Sequence, residues 1–225
     1  SLNHKLTGRW ILVNKHRIML SLNLKNWRME WLNDRLEVVN YFDATGLSHE
    51  NHLYMAGEYL KFLGMDIDGL KKPLHFQIPD YGINIIDDQD ISSIGVEQWK
   101  FFRDLANRNC FDLLGLLQKE SEIRIWPHHF DTGIYVQLDN NLGIGFGLAI
   151  KDSLAGLPYF YLTAYNGDAQ VSFSSVPELT HGKFIMEGSW KGAILTLDQI
   201  PIESTQKTDE ILRSFLIEGM GYYLK

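Results

Sequence analysis

The chain is poor in the residues that usually announce a chemistry. It has one cysteine among 225 residues, Cys110, so it cannot form an internal disulfide and has no paired cysteine ligands for zinc. Cys110 sits in the apolar string FFRDLANRNCFDLLGLL and reads as a buried, inert thiol. No apolar run approaches the roughly 20 residues of a membrane-spanning helix. The start, SLNHKLTGRW, lacks a basic stretch followed by an apolar one. Together these absences lead us to expect a cytoplasmic protein with no membrane partner. Positive charge is also scarce: 21 Lys and Arg against 28 Asp and Glu, a net charge of −7, and no basic cluster beyond Lys71-Lys72. A nucleic-acid partner is not expected, because such binding rests on Lys and Arg neutralising phosphates. There is no Gly-x-Ser-x-Gly elbow and no neighbour that would activate Cys110 as a nucleophile. No cofactor is implied.

Rings, in contrast, are plentiful. Six Trp, ten Tyr and twelve Phe suit a filled core, a ring-lined pocket or a partner interface. Their spacing separates strands from helices. Ile18, Leu20, Leu22 and Leu24 alternate with Met19, Ser21 and Asn23, and Trp27, Met29 and Trp31 alternate with Arg28 and Glu30. Period two means strands, and Asn33-Asp34 looks like a tight turn, so residues 9–42 read as an antiparallel meander. The period then lengthens. Ser48 caps a helix carrying Leu53, Ala56, Leu60 and Leu63, and Gly64 ends it. A second helix spans about 96–118, with Trp99, Phe102, Ala106, Cys110, Leu113 and Leu117 on one stripe. Strands follow at about 123–138, 143–150, 157–165, 182–187 and 193–198. A closing helix starts near Thr208, with Asp209 and Glu210 at its positive end.

This pattern predicts an α+β fold with a mainly antiparallel sheet and packed helices. The Asp- and Gly-rich segment before the second helix divides it into residues 1–90, a meander plus helix, and residues 91–225. Asp80-Tyr81-Gly82-Ile83 echoes Asp131-Thr132-Gly133-Ile134, each after a long helix, which raises an internal duplication. Helices, several antiparallel strands and a long C-terminal helix also suggest a sheet gripping a helix around a cavity.

The candidate site lies in IRIWPHHFDTGIYV, residues 123–136. With 128–138 extended, His129, Asp131, Gly133, Tyr135 and Gln137 share one face, and His128 points to the other. Adjacent histidines on a strand are therefore poor co-ligands, whereas a carboxylate beside an imidazole fixes its tautomer and raises its basicity. In the next strand Gly143, Gly145 and Gly147 leave one face bare, and in the one after Tyr159, Tyr161, Thr163 and Tyr165 share a face. The alternation continues through the glycines, so they are strand residues and not a phosphate loop opening a helix. If the three faces coincide, they join a bare floor, polar rings and an ionisable pair, as in a small-molecule pocket. The same residues also suit the wet side of a half-buried sheet whose rings patch its glycines. Elsewhere, His49 and His52 stand one helical turn apart, a metal-compatible spacing, but a third ligand such as His75 has no place in the pattern, and no metal site is assigned.

Over residues 98–223 the chain resembles a family of uncharacterised bacterial domains of unknown function. The likeness is carried by WKFFRDLANRNCFDLLGLL, the strand with Phe130-Asp131, the YFYLTAY strand and the closing helix with Phe215 and Tyr222. WPHHFD departs from the shorter polar approach to the Phe-Asp pair expected there. The resemblance implies a bacterial protein and carries over no activity.

Three readings stay open. The first is a small-molecule binder with an aromatic-lined pocket built from His129, Asp131, Tyr135, Tyr159, Tyr161 and Gly145. The second is a metal-assisted hydrolase using His129 and Asp131. The third is a structural or interaction module, with self-association open.

Overall fold

The computed structural model describes the chain apart from residues 1–3, 75, 76, 78, 79, 81, 83, 84, 88–90, 127–129, 139, 140, 167–170, 172, 174, 187–189, 203 and 225. The expected α+β architecture is present, with three α-helices and two antiparallel sheets among the described residues. The chain separates into two compact units, Ser1–Glu97 and Gln98–Lys225. Among the described residues no helix is long and apolar enough to cross a membrane.

The first unit is a four-stranded meander and a helix. Its strands are β1 (Lys5–Val13), β2 (His16–Asn23), β3 (Arg28–Asn33) and β4 (Val38–Asp43), hydrogen-bonded in chain order. The turns are written in short polar residues. Asn14 and Lys15 both have positive φ, the primed two-residue hairpin that matches strand twist. The side-chain oxygen of Asn33 accepts from the amides of Arg35 and Glu37 at 3.0 and 2.9 Å, closing the β3–β4 connection.

Helix α1 (His49–Phe62) starts at Ser48, whose hydroxyl accepts from the Asn51 amide. It ends at Gly64 (φ +80°), where the amides of Met65 and Gly64 return to the carbonyls of Leu60 and Lys61. Leu60 packs with Val13, Ile18 and Trp31 on one face of the sheet. On the other face Glu30 is buried, held by the Lys5 ammonium and by the Asn23 amide.

The second unit is built on a six-stranded sheet. It comprises β5 (Arg124–Trp126), β6 (Asp131–Gln137), β7 (Leu142–Ala149), β8 (Tyr159–Asn166), β9 (Lys183–Ile185) and β10 (Gly192–Thr196), in the order β5-β6-β7-β8-β10-β9. Helices α2 (Ser93–Leu117) and α3 (Thr205–Tyr223) bury their apolar stripes against one face of it. Phe102, Leu105 and Leu113 of α2 and Leu212, Phe215 and Met220 of α3 meet Ile134, Val136, Phe146, Phe160 and Leu195. All these strand residues lie on one side of the alternation. Cys110 belongs to this core, and burial pushes its thiol up to about 12, out of reach of ordinary thiol chemistry.

Two expectations change. The span 123–138 is not one strand. The Phe130 amide donates to the Trp126 carbonyl at 2.7 Å and Phe130 has φ +53°, so the chain folds back and β6 begins at Asp131. Helix α3 is capped by Ser204, whose hydroxyl accepts from the Lys207 amide. Thr208 lies inside the helix, its hydroxyl donating to the carbonyls of Pro201 and Ser204. Asp209 and Glu210 accordingly fall outside its first turn. Among the described residues the two units differ in strand number and element order, which gives the internal duplication no support. Tyr81 and Ile83 of the echoed string lie outside the described residues.

Replacing Lys5 with Met leaves the buried Glu30 carboxylate without its cation. This should cost about 3–5 kcal/mol in urea unfolding. The double variant Lys5→Met with Glu30→Gln should recover most of that loss.

Candidate functional site

The face of the six-stranded sheet turned away from the helices is where the chemistry-bearing residues gather. Register decides which meet. Gly133 lies opposite Gly147, and Gly147 opposite Tyr161. Tyr135 lies opposite Gly145, and Gly145 opposite Thr163. Gln137, Gly143 and Tyr165 form the third row. Cross-strand partners share a face, so glycine and tyrosine faces coincide as expected from their alternation.

The glycine floor is roofed by the protein's own rings. A Cβ on Gly147 would stand 2.6 Å from the Tyr161 hydroxyl, and one on Gly133 would stand 2.7 Å from the same atom. Tyr161 thus lies flat across both glycines. Its hydroxyl donates to Asp131 Oδ2 at 2.6 Å, in the range of an O–H bond to a carboxylate. Asp131 is only 8% exposed and is the first residue of β6, opposite Trp126. Towards the other end, Tyr135 leans over Gly143 and donates to Gln137 at 2.7 Å. Tyr165 covers Gly145, where an added Cβ would lie 3.5 Å from its ring. The Tyr135 and Tyr165 rings meet edge to face at 5.8 Å, and they remain 43% and 47% exposed.

The far side of the face is closed. Leu154 and Ala155, in the segment between β7 and β8, pack on Ala149, Tyr159 and Ile194. Asp152 organises that segment. Its Oδ1 accepts from the Leu154 amide and its Oδ2 from the Tyr159 hydroxyl at 2.9 Å. Trp190 covers Gly192, and Thr163 donates to the Lys191 carbonyl. Tyr159 is therefore on the expected face but sealed at its closed end, apart from the half-open Tyr135–Tyr165 pair.

The phenols are held neutral. Burial first, then the Asp131 charge and hydrogen bond, push Tyr161 well above its ordinary value. Burial and the Asp152 hydrogen bond do the same to Tyr159. Burial also raises Tyr165, with the Asp131 charge adding to it. One carboxylate thus reaches three tyrosines electrostatically.

Of the expected site residues, the structure places Asp131, Tyr135, Tyr161 and Gly145 on one sheet face; Tyr135 is half-exposed, whereas Asp131 is buried and Tyr161 packs against the cluster that closes the Tyr159 end. His129 lies outside the described residues; Phe130 has φ +53° and the extended backbone of β6 begins at Asp131. Phe130 itself stacks on Trp99 at 6.0 Å. Two residues that matter escaped the sequence. Asp152 gave no signal of its role beyond sitting in a Ser-, Gly- and Pro-containing segment, and Trp190 none at all. In the first unit, His52 points both ring nitrogens at carbonyl oxygens, those of Ser48 and Ala44, each at 2.9 Å. The HENH spacing therefore does not present two free imidazoles. Among the described residues no three His, Cys, Asp or Glu groups stand together as metal ligands. No known protein family, curated protein or solved structure matches the chain.

Gly133→Ala should destabilise the second unit by about 1–3 kcal/mol in urea, since the methyl would sit 2.5 Å from the Phe146 carbonyl oxygen and cannot be relieved by a rotamer change. Gly156→Ala, with nothing within 4 Å, should leave the midpoint near its original value. Raised phenol values also fix a pH dependence. Unfolded tyrosines lose their protons near pH 10, while buried Tyr159 and Tyr161 keep theirs. Stability contributed by these groups is complete below about pH 10 and falls as pH rises beyond it, by about 1.4 kcal/mol per pH unit for each. Ultraviolet titration of phenolate should therefore show a late step that coincides with unfolding.

Proposed function

We propose that the second unit binds a small organic molecule on this face, with the half-exposed Tyr135 and Tyr165 as the apolar contact and the more deeply set Asp131–Tyr161 pair as the polar anchor. The observation that carries the reading is the buried Asp131 carboxylate on a sheet face that the helices leave alone. Burying a charge is costly unless hydrogen bonds hold it, and here it sits under a ring on a floor of glycines. Strands β6 and β7 both omit side chains in the Gly133–Gly147 row, and β7 does so again at Gly145 and Gly143, which brings rings and backbone within a few ångströms of anything lying there.

A thermal-shift screen of the whole chain against a metabolite library tests the proposal. A compound present at a hundred times its dissociation constant stabilises the native state by about 2.7 kcal/mol. True ligands should lose this shift in Asp131→Asn and in Tyr165→Ala, and keep it in Tyr54→Ala on α1. A library with no hits, or hits indifferent to both face substitutions, would overturn the assignment.

A further inference from the structure

Resting on the binding face proposed above, we infer that its ligand is an organic cation, a substituted ammonium, recognised by tyrosine ring faces over a buried carboxylate. Four observations point the same way. The first is the anion itself. Asp131 is buried, and its 2.6 Å bond from the Tyr161 hydroxyl has the length of a phenol donating to a charged oxygen. The second is the company it keeps. Tyr161 lies flat on the glycines, and the half-exposed Tyr135 and Tyr165 follow on the same floor. Ring faces carry negative electrostatic potential and attract cations, most strongly where water is partly excluded. A phenol that donates its proton to a carboxylate is further enriched in electrons. The third is that burial keeps the Tyr161 and Tyr165 phenols protonated, so they offer their ring faces without adding phenolate charge.

The fourth is an example already present on the same surface. Trp126 lies opposite Asp131, and the Arg124 guanidinium stands 5.9 Å from its ring centre while bonded to Glu122 at 3.1 Å. A cation over a ring beside an acid is thus an arrangement this sheet already makes. Lys183, on the β9 edge, is the other described cation whose register places it on this face, opposite Ile194. It is separated from Tyr161 by β10 and is exposed.

The experiment compares choline with 3,3-dimethylbutan-1-ol, which has the same shape without the charge. The full chain carries ring-labelled tyrosine, and both probes are titrated by NMR. Choline should move the Tyr135, Tyr161 and Tyr165 ring signals in a saturable way, and the neutral probe should bind at least tenfold more weakly. Asp131→Asn should weaken choline about tenfold, bringing it to the level of the neutral probe, without changing the neutral probe itself. Tyr165→Leu, which leaves the carboxylate intact, should weaken choline severalfold and guards against Asp131→Asn simply loosening the fold. Equal binding of the two probes, or choline binding untouched by Asp131→Asn, would overturn the cation inference while leaving the binding face intact. No movement of these signals with choline would also overturn it, and the face itself would fall with a blank metabolite screen or with hits indifferent to the Asp131 and Tyr165 substitutions.

Discussion

Tyr161 reaches Asp131 by crossing two residues that have no side chains. Any Cβ at Gly133 or Gly147 would collide with its hydroxyl, so the glycines on β6 and β7, the ring on β8 and the carboxylate at the start of β6 form one constraint rather than four choices. The same register that lines them up also sends Ile134, Phe146 and Phe160 to the opposite face, under α2 and α3. A one-residue slip would exchange the two sets, putting glycines against the helices and aliphatic chains in the open. Core and candidate site are therefore specified together.

This coupling explains how a sheet can carry so many glycines in its middle strand. Glycine within a strand weakens it, by roughly 0.5–1 kcal/mol relative to alanine. Two features offset that loss. One is the helix-covered face, where Phe146, Phe160, Leu162 and Phe215 are fully buried. The other is the rings lying over the gaps, which restore contact that the missing side chains would have made. The first unit solves its sheet differently. There α1 covers one face, and a buried acid on the other is neutralised by Lys5 and hydrogen-bonded by the Asn23 amide within the same meander.

What could be read in the sequence is what depends on neighbours in the chain. The alternation of Gly143, Gly145 and Gly147 with Ile144, Phe146 and Leu148 assigns faces before any partner is known. Tyr161, Thr163 and Tyr165 follow the same logic, as do Ser48 and Gly64 at the ends of α1. What could not be read depends on partners distant in sequence or on a single backbone angle. Nothing local says that Gly133 will face Tyr161, or that Asp152 will fold back on Tyr159. The extended run expected over 128–138 is interrupted at Phe130. A left-handed phenylalanine is uncommon, and no feature of the residue announces it. Ser204 and Thr208 are both good caps one turn apart, and the choice went to the residue whose successor could start the helix while Thr208 reached back to Pro201.

The state of the phenols bears on whether this face recognises or reacts. A general base works best when its pKa lies near the pH at which it operates, since it must be both unprotonated and basic. Tyr159, Tyr161 and Tyr165 are all driven the other way, chiefly by burial. Their hydroxyls are also committed, Tyr161 to Asp131, Tyr159 to Asp152 and Tyr135 to Gln137. Groups fixed in this way keep their geometry when something lies against them, which lowers the ordering cost of binding. They give little help to a proton in flight. The same hydrogen bonds that make the rings poor bases make them a rigid, electron-rich surface, and that favours recognition over catalysis at the open end of the sheet.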